Sequence, residues 1–171
     1  PTRLYQSAKN ATGFGPDKSI ATEAFDEAEA MFLQATKAKD GEKKIFLEAA
    51  ELYDKAANRW PDSAMQEDAL FMQAECYFFA DRYPKAAEHY EILVKKYQNT
   101  RHMDTVDKRR FALAQYWVKH FENDPDWVIT PNLTSRDRPL FDKFGNGVRV
   151  LDKIRFDDPT GRLADDATMA A

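Results

Sequence analysis

Cysteine is almost missing from this chain. Cys76 stands alone among 171 residues, so no intrachain disulfide can form, and a single thiol leaves the redox compartment undetermined. Long apolar runs are missing too: no stretch approaches the roughly 18 apolar residues that a membrane-spanning helix needs. Basic runs are absent, and 25 Lys and Arg against 29 Asp and Glu leave a net charge of -4. That removes the electrostatic footprint of a nucleic-acid binder. The apolar–polar alternation of a half-buried strand occurs nowhere.

Catalytic constellations are equally scarce. His89, His102 and His120 are scattered, each near the end or on the exposed side of an expected helix, without the close spacing of a metal site. Gly13-Phe14-Gly15 lacks the strand, the third glycine and the basic residue of a phosphate loop. Cys76 lies in an apolar helical stretch and fits an inert small hydrophobe better than a nucleophile. Asp165-Asp166 opens a helix, where the positive end of the helix dipole accounts for them. No catalytic residue, metal ion or cofactor is expected.

What is present is a repeat. Trp60-Pro61-Asp62-Ser63 is answered 37 residues later by Tyr97-Gln98-Asn99-Thr100. Ahead of each lies the same apolar ladder: Phe46, Ala49, Ala50, Tyr53, Ala56 and Trp60, then Tyr83, Ala86, Ala87, Tyr90, Leu93 and Tyr97. A third echo follows at Pro159, where Leu163-Ala164-Asp165-Asp166-Ala167 mirrors Met65-Gln66-Glu67-Asp68-Ala69. Periods of roughly 20–50 residues mark solenoids, whose units bury their apolar faces by stacking on neighbours and together present an extended surface. With 43% apolar and 32% charged residues, the chain has an ordinary globular balance and can build a core.

Residues 1–18 carry Gly13, Gly15 and Pro16 and no apolar period, so coil is expected there. A repeat domain follows over 19–171. Its first helix carries Phe25, Ala28, Phe32 and Ala35 and breaks at Asp40-Gly41. A second runs from about Glu42 to Arg59 and is stopped by Pro61. Asp62 or Ser63 caps the third. Asp81-Arg82 turns into a fourth with Pro84 in its first turn. Asn99 or Thr100 caps a fifth that reaches about Glu122. The interval from Tyr97 to Asp158 is 61 residues rather than 37, and the surplus is an insert over 123–139 with Pro125, Pro131 and Pro139. It holds Trp127, Val128 and Ile129, so an ordered loop packed onto the neighbouring helices is expected. A sixth helix places Phe141, Phe144, Val148 and Leu151 on one stripe; Gly145 and Gly147 inside it point to close packing or a kink. The chain begins at Pro1 and ends inside a helical pattern, so it reads as a fragment truncated at its C-terminus.

The ladder resembles a tetratricopeptide repeat: Ala74, Tyr77, Tyr83, Ala86, Tyr90 and Leu93 fall where that family places its packing residues, and its closing proline is present as Pro61 and Pro159. The resemblance implies an all-α, tetratricopeptide-like right-handed α-solenoid of antiparallel helix pairs. The Trp60–Ser63 closure, the interruption ending Ser135-Arg136-Asp137-Arg138-Pro139, and the return of the closure at Asp158-Pro159-Thr160 are also similar to bacterial outer-membrane assembly lipoproteins of the BamD (YfiO) type. That narrower resemblance implies a non-enzymatic protein-interaction scaffold for outer-membrane β-barrel assembly. Its partners would be other subunits of an assembly complex or a β-barrel client peptide, with no nucleic acid. It would sit on the periplasmic side of the outer membrane, anchored by a lipid outside this chain, since Cys76 lies mid-helix. The alternative is a regulatory or substrate-presenting repeat domain of a larger periplasmic or cytoplasmic protein.

By the family pattern the third helix lines a concave groove with Asp68, Phe71, Glu75, Phe78 and Phe79, an aromatic surface suited to an apolar helical or extended peptide. The competing reading makes those aromatics plain core. The groove face of this helix has no Lys or Asn, which argues against a carboxylate clamp there. From the insert, Trp127, Arg136 and Arg138 are candidate partner contacts; the alternative is an ion-pair network that pins the loop. Lys108, Arg109 and Arg110 are expected on a solvated face with Asp104 and Asp107.

Overall fold

The computed structural model describes residues 15–123, 131–161 and 163–170. Among them lie seven helices and no strand: α1 (Lys18–Lys37), α2 (Glu42–Arg59), α3 (Ala64–Phe79), α4 (Tyr83–Lys96), α5 (Met103–Asn123), α6 (Lys143–Asp157) and α7 (Ala164–Ala170). The chain forms two compact units, Pro1–Ala80 and Asp81–Ala171. The coil expected over 1–18 lies mostly outside the described residues, as do Pro125 and Trp127 of the insert.

In the first unit α1 and α3 begin where a side chain takes up free amides, and α2 begins at a glycine. Asp17 caps α1 by accepting from the amides of Ser19 and Ile20 at 2.9 and 3.1 Å. Gly41 starts α2 with φ +76°, which glycine adopts without cost. Of the two expected caps of α3, Ser63 performs the role: its Oγ accepts from the Gln66 amide at 3.1 Å. Asp62 instead makes the turn, with φ 56°, a left-handed geometry that Asp tolerates better than most residues.

The helices run antiparallel. The Asp17 amide donates to the Arg59 carbonyl at 2.7 Å, joining the start of α1 to the end of α2. Mid-helix, the rings of Phe25 and Tyr53 meet edge-on at 5.3 Å, and at the other end Phe32 meets Phe46 at 5.2 Å. Between them runs a stripe of alanines: Ala21, Ala24, Ala28 and Ala35 of α1 and Ala49, Ala50, Ala56 and Ala57 of α2 are buried. Side chains this small let two backbones come close, and Phe46 and Tyr53 fill the remaining width. α3 packs on α2 in the reverse direction, with Gln73 donating to Asp54 at 3.3 Å and Gln66 to the Ala57 carbonyl at 2.9 Å.

The Trp60–Ser63 closure now has a physical account. Ser63 donates to the Trp60 carbonyl at 2.7 Å, and the Asp62 amide donates to Gln66 Oε1 at 2.8 Å. With the Gln66 bond to Ala57, both buried helix ends at this turn are satisfied by side chains within a few residues of each other.

In the second unit Pro84 stands in the first turn of α4, where its missing N–H costs nothing. The α5 start differs from expectation. Thr100 Oγ1 accepts from the His102 amide at 3.3 Å, and the turn is passed before the helix opens at Met103. α5 and α6 are antiparallel: Arg110 near the start of α5 pairs with Asp157 at the end of α6 at 2.6 Å, while Phe121 and Phe144 meet at the other end at 5.4 Å. The buried stripe of α6 is Gly147, Leu151 and Ile154, with Ala114 and Ala167 beside it. This corrects the expected stripe: Phe141 lies before the helix, and both Phe141 and Phe144 are exposed. Asp142 caps the helix by accepting from the Gly145 amide at 2.8 Å, so Phe144 falls in the first turn, at the open end of the stripe.

Gly147 marks the closest approach of α5 and α6. A Cβ there would lie 2.9 Å from Val118 Cγ2 and 3.3 Å from the Ala114 carbonyl oxygen. Gly147→Ala is therefore expected to destabilise the protein by about 1 kcal/mol, because overpacking outweighs the gain in helix propensity. Urea unfolding checks this; a stabilised variant would show that the helices are able to part.

Candidate functional site

The expected groove residues all lie on α3, and the structure treats them differently. Glu75 is buried at 6% exposure, so its carboxylate is not an open surface feature. Asp68, Phe71 and Phe78 are half-buried. Phe79, the last residue of the helix, is 38% exposed. The structure joins Phe79 to Phe78 and to two rings that the pattern did not single out as binding groups, Phe32 and Phe46. Its ring stacks on Phe46 at 5.4 Å and meets Phe32 at 5.9 Å and Phe78 at 5.7 Å. The end of α1, the start of α2 and the end of α3 thus converge on one aromatic cluster whose inner ring, Phe46, is buried and whose outer ring, Phe79, meets solvent. Leu33, on the last turns of α1, is exposed as well. The cluster is thus core on its Phe46 side and open to solvent at Phe79.

No reactive group stands in this surface. Burial pushes the Cys76 thiol well above its ordinary range, with the Glu75 carboxylate adding to the effect, so almost no thiolate forms at neutral pH.

Residues 131–139, the later part of the insert, are organised by their own polar groups. Asn132 is the hub: its side-chain amide donates to the carbonyls of Ser135 at 2.7 Å and Arg138 at 3.2 Å, its Oδ1 accepts from the Ser135 amide at 3.0 Å, and its own amide donates to Leu140 at 2.7 Å. Asp137 ties this loop to α5. Its carboxylate accepts from the Tyr116 hydroxyl, and its carbonyl accepts from the Trp117 indole at 3.0 Å. Burial pushes the Tyr116 hydroxyl up to about 12, and the bond to Asp137 adds to the rise. Of the candidate insert contacts, Arg138 is half-buried and donates to Ser135 Oγ, whereas Arg136 is exposed. Trp127 lies outside the described residues. Among the described residues of the loop, these hydrogen bonds hold Asn132, Ser135, Asp137 and Arg138 in place.

The basic cluster needs correction. Lys108 is exposed, but Arg110 and Asp107 are buried, at 2% and 4% exposure. They share the inward stripe of α5 with Val106, Ala114 and Trp117. Following the 3.6-residue period from Trp117 back through Ala114 to Arg110 and Asp107 would have exposed this; local charge composition hid it. A neighbouring ion pair was missed altogether. Glu91 of α4 pairs with Lys95 at 2.6 Å and with Lys153 of α6, and these hydrogen bonds hold its carboxyl down at about 2.

Residues 68–100 match the tetratricopeptide repeat family. That stretch is similar to a tetratricopeptide repeat. No curated protein and no solved structure matches the chain. The matched repeat runs from Asp68 within α3 to the closing Thr100, and its ladder residues Ala86, Tyr90 and Leu93 are buried. The antiparallel helix pairs give the all-α, tetratricopeptide-like helical solenoid class. Repeats of this kind act as protein-interaction modules, with binding carried by side chains on a rigid helical frame.

Asp107 offers a test of the polar core in the second unit. Burial raises its carboxyl to about 6; Arg110 opposes the rise, and Asp158, Asp157 and Asp104 add to it. In the unfolded chain the same group ionises near 4. Between about pH 4 and 6 the folded state therefore holds the proton more tightly, so this group's contribution to stability falls as pH rises through that window. Asp107→Asn is expected to be more stable than the native chain by about 1 kcal/mol at pH 7, with the advantage shrinking towards pH 4. Urea denaturation at both pH values checks it; a constant difference would show that Asp107 titrates normally.

Proposed function

We propose that this protein is a non-enzymatic scaffold for the assembly of outer-membrane β-barrel proteins, holding a segment of a partner subunit or of a β-barrel client chain. Its place would be the periplasmic face of the outer membrane, reached through a lipid anchor that is not part of this sequence. The tetratricopeptide repeat supports the coarser part of this reading, a protein-binding module. The finer part is supported by the resemblance of the Trp60–Ser63 closure, the proline-rich insert and the Asp158-Pro159-Thr160 closure to the BamD-type lipoproteins.

One observation carries the choice of surface: the Phe32, Phe46, Phe78 and Phe79 cluster, anchored on the inside and open at Phe79. An aromatic ring already locked by its neighbours loses little conformational freedom when a partner covers it, so more of the contact energy appears as affinity. Asp68 and Phe71, further back on α3, extend the same helix face towards its start.

Anisotropy of a labelled, denatured β-barrel chain titrated with the protein tests this. Phe79→Ala is expected to weaken binding by roughly tenfold, with Phe78→Ala weakening it less, while the helical circular dichroism and cooperative unfolding persist. Unchanged affinity in both variants sinks the surface assignment, and loss of cooperative unfolding shows that these rings serve the core alone.

A further inference from the structure

A cavity of about 210 Å³ lies within the second unit, lined among others by Glu88 and Glu91 of α4, Arg110 and Trp117 of α5, and Arg149 and Lys153 of α6. Pro84, Ala87, Pro139 and Val150 supply apolar wall. Its volume falls below the roughly 300 Å³ at which drug-sized ligands begin, so it suits one side chain or one chain end.

The charges around it are unequally matched. Lys153 is taken by Glu91. Arg110 gives Nη1 to Asp157 at 2.6 Å, but its Nη2 is buried without a hydrogen-bond partner. Arg149, exposed at the cavity's edge, meets only the neutral Asn146 Oδ1 at 3.0 Å. A guanidinium has donors to spare in a planar fork that matches a carboxylate. A buried donor left without a partner costs about 1–3 kcal/mol, and an acceptor that reaches it recovers part of that. The two glutamates in the lining set the limit on charge. They repel a dianion such as phosphate more strongly than a single carboxylate, which can use the spare donors of Arg110 and Arg149.

We propose that this cavity is a second docking site, one that receives a single carboxylate borne on a short apolar stem from a partner peptide, with Arg110 and Arg149 as its hydrogen-bond donors. Entry requires a wall side chain to swing aside, because Nη2 itself meets almost no solvent. Arg149 and Lys153 are long side chains with their ends in or near solvent and can do so. The apolar wall, including the Trp117 ring, takes the stem. This site is separate from the aromatic surface of α3 and does not rest on it: the first unit is not involved, and either assignment can fail alone.

The carboxylate has two possible sources, a chain terminus or an acidic side chain, and small probes separate them. The full chain, labelled with nitrogen-15, is titrated with N-acetylglycine, with the α-amide of N-acetylglutamate, with neutral N-acetylglycinamide and with inorganic phosphate. The Trp117 indole N–H, fixed on the Asp137 carbonyl, is the reporter. Saturable shifts with a carboxylate probe, and none with the neutral amide or phosphate, are expected. N-acetylglycine binding tighter assigns the chain end, and the glutamate probe binding tighter assigns the acidic side chain. Arg149→Gln is expected to weaken the better probe by roughly fivefold without changing the unfolding midpoint. Val150→Phe, which fills the cavity without altering a charge, is expected to abolish saturation. No saturation in the native chain, an equal response to phosphate, or a titration that Arg149→Gln and Val150→Phe leave unchanged each overturns the proposal.

Discussion

Two antiparallel helices approach only as far as the side chains between them allow, and in this protein that spacing sets everything else. The alanine stripes of α1 and α2 and the glycine of α6 permit close backbones. Close backbones in turn leave room for only a few large groups, which therefore become the fixed points: Phe46 and Tyr53 in the first unit, Arg110 and Trp117 in the second. Packing at interior density tolerates neither an added methyl nor a missing ring without a cost in stability. The rigidity that follows is useful for binding, because a surface that is already ordered loses little freedom on meeting a partner.

Close spacing also places demands on the turns. A helix end held against its neighbour cannot be left to water, so its free amides and carbonyls must be met by side chains. The Trp60–Ser63 closure meets them with Ser63, the Asp62 amide and Gln66, and Asp17 and Asp142 do the same for α1 and α6. At Trp60–Ser63 the motif is thus a capping device that serves tight packing. Residues 132–138 solve the same problem by wrapping carbonyls around Asn132.

In the polar core of the second unit packing and electrostatics disagree. Arg110 and Asp107 sit on a stripe that would otherwise be apolar. Each retains a buried polar atom without a partner, a feature that native interiors show sparingly. Such groups are costly to stability, and where they line a cavity they mark a position at which a ligand's polar group is worth more than it would be on an open surface.

Much of this was legible in the sequence. The helix order, the capping of α3, the turn at Gly41, the place of Pro84 and the close packing signalled by Gly147 all follow from local patterns of period, cap and breaker, because the physics that sets them spans only a few residues. The α3 candidates were legible as a stripe, but not the division among them. Glu75 is buried and Phe79 is open because of what lies against α3, and Phe32 and Phe46 joined the cluster only through the pairing of three helix ends. Arg110 was misjudged for the same reason: its neighbours in sequence are charged, whereas its neighbours in space include Asp157, 47 residues away. What the sequence by itself determined is the repeat, its helices and its capped turns. What only the tertiary structure decided is which aromatic ring meets solvent and which arginine is sealed inside, since burial depends on groups far apart along the chain.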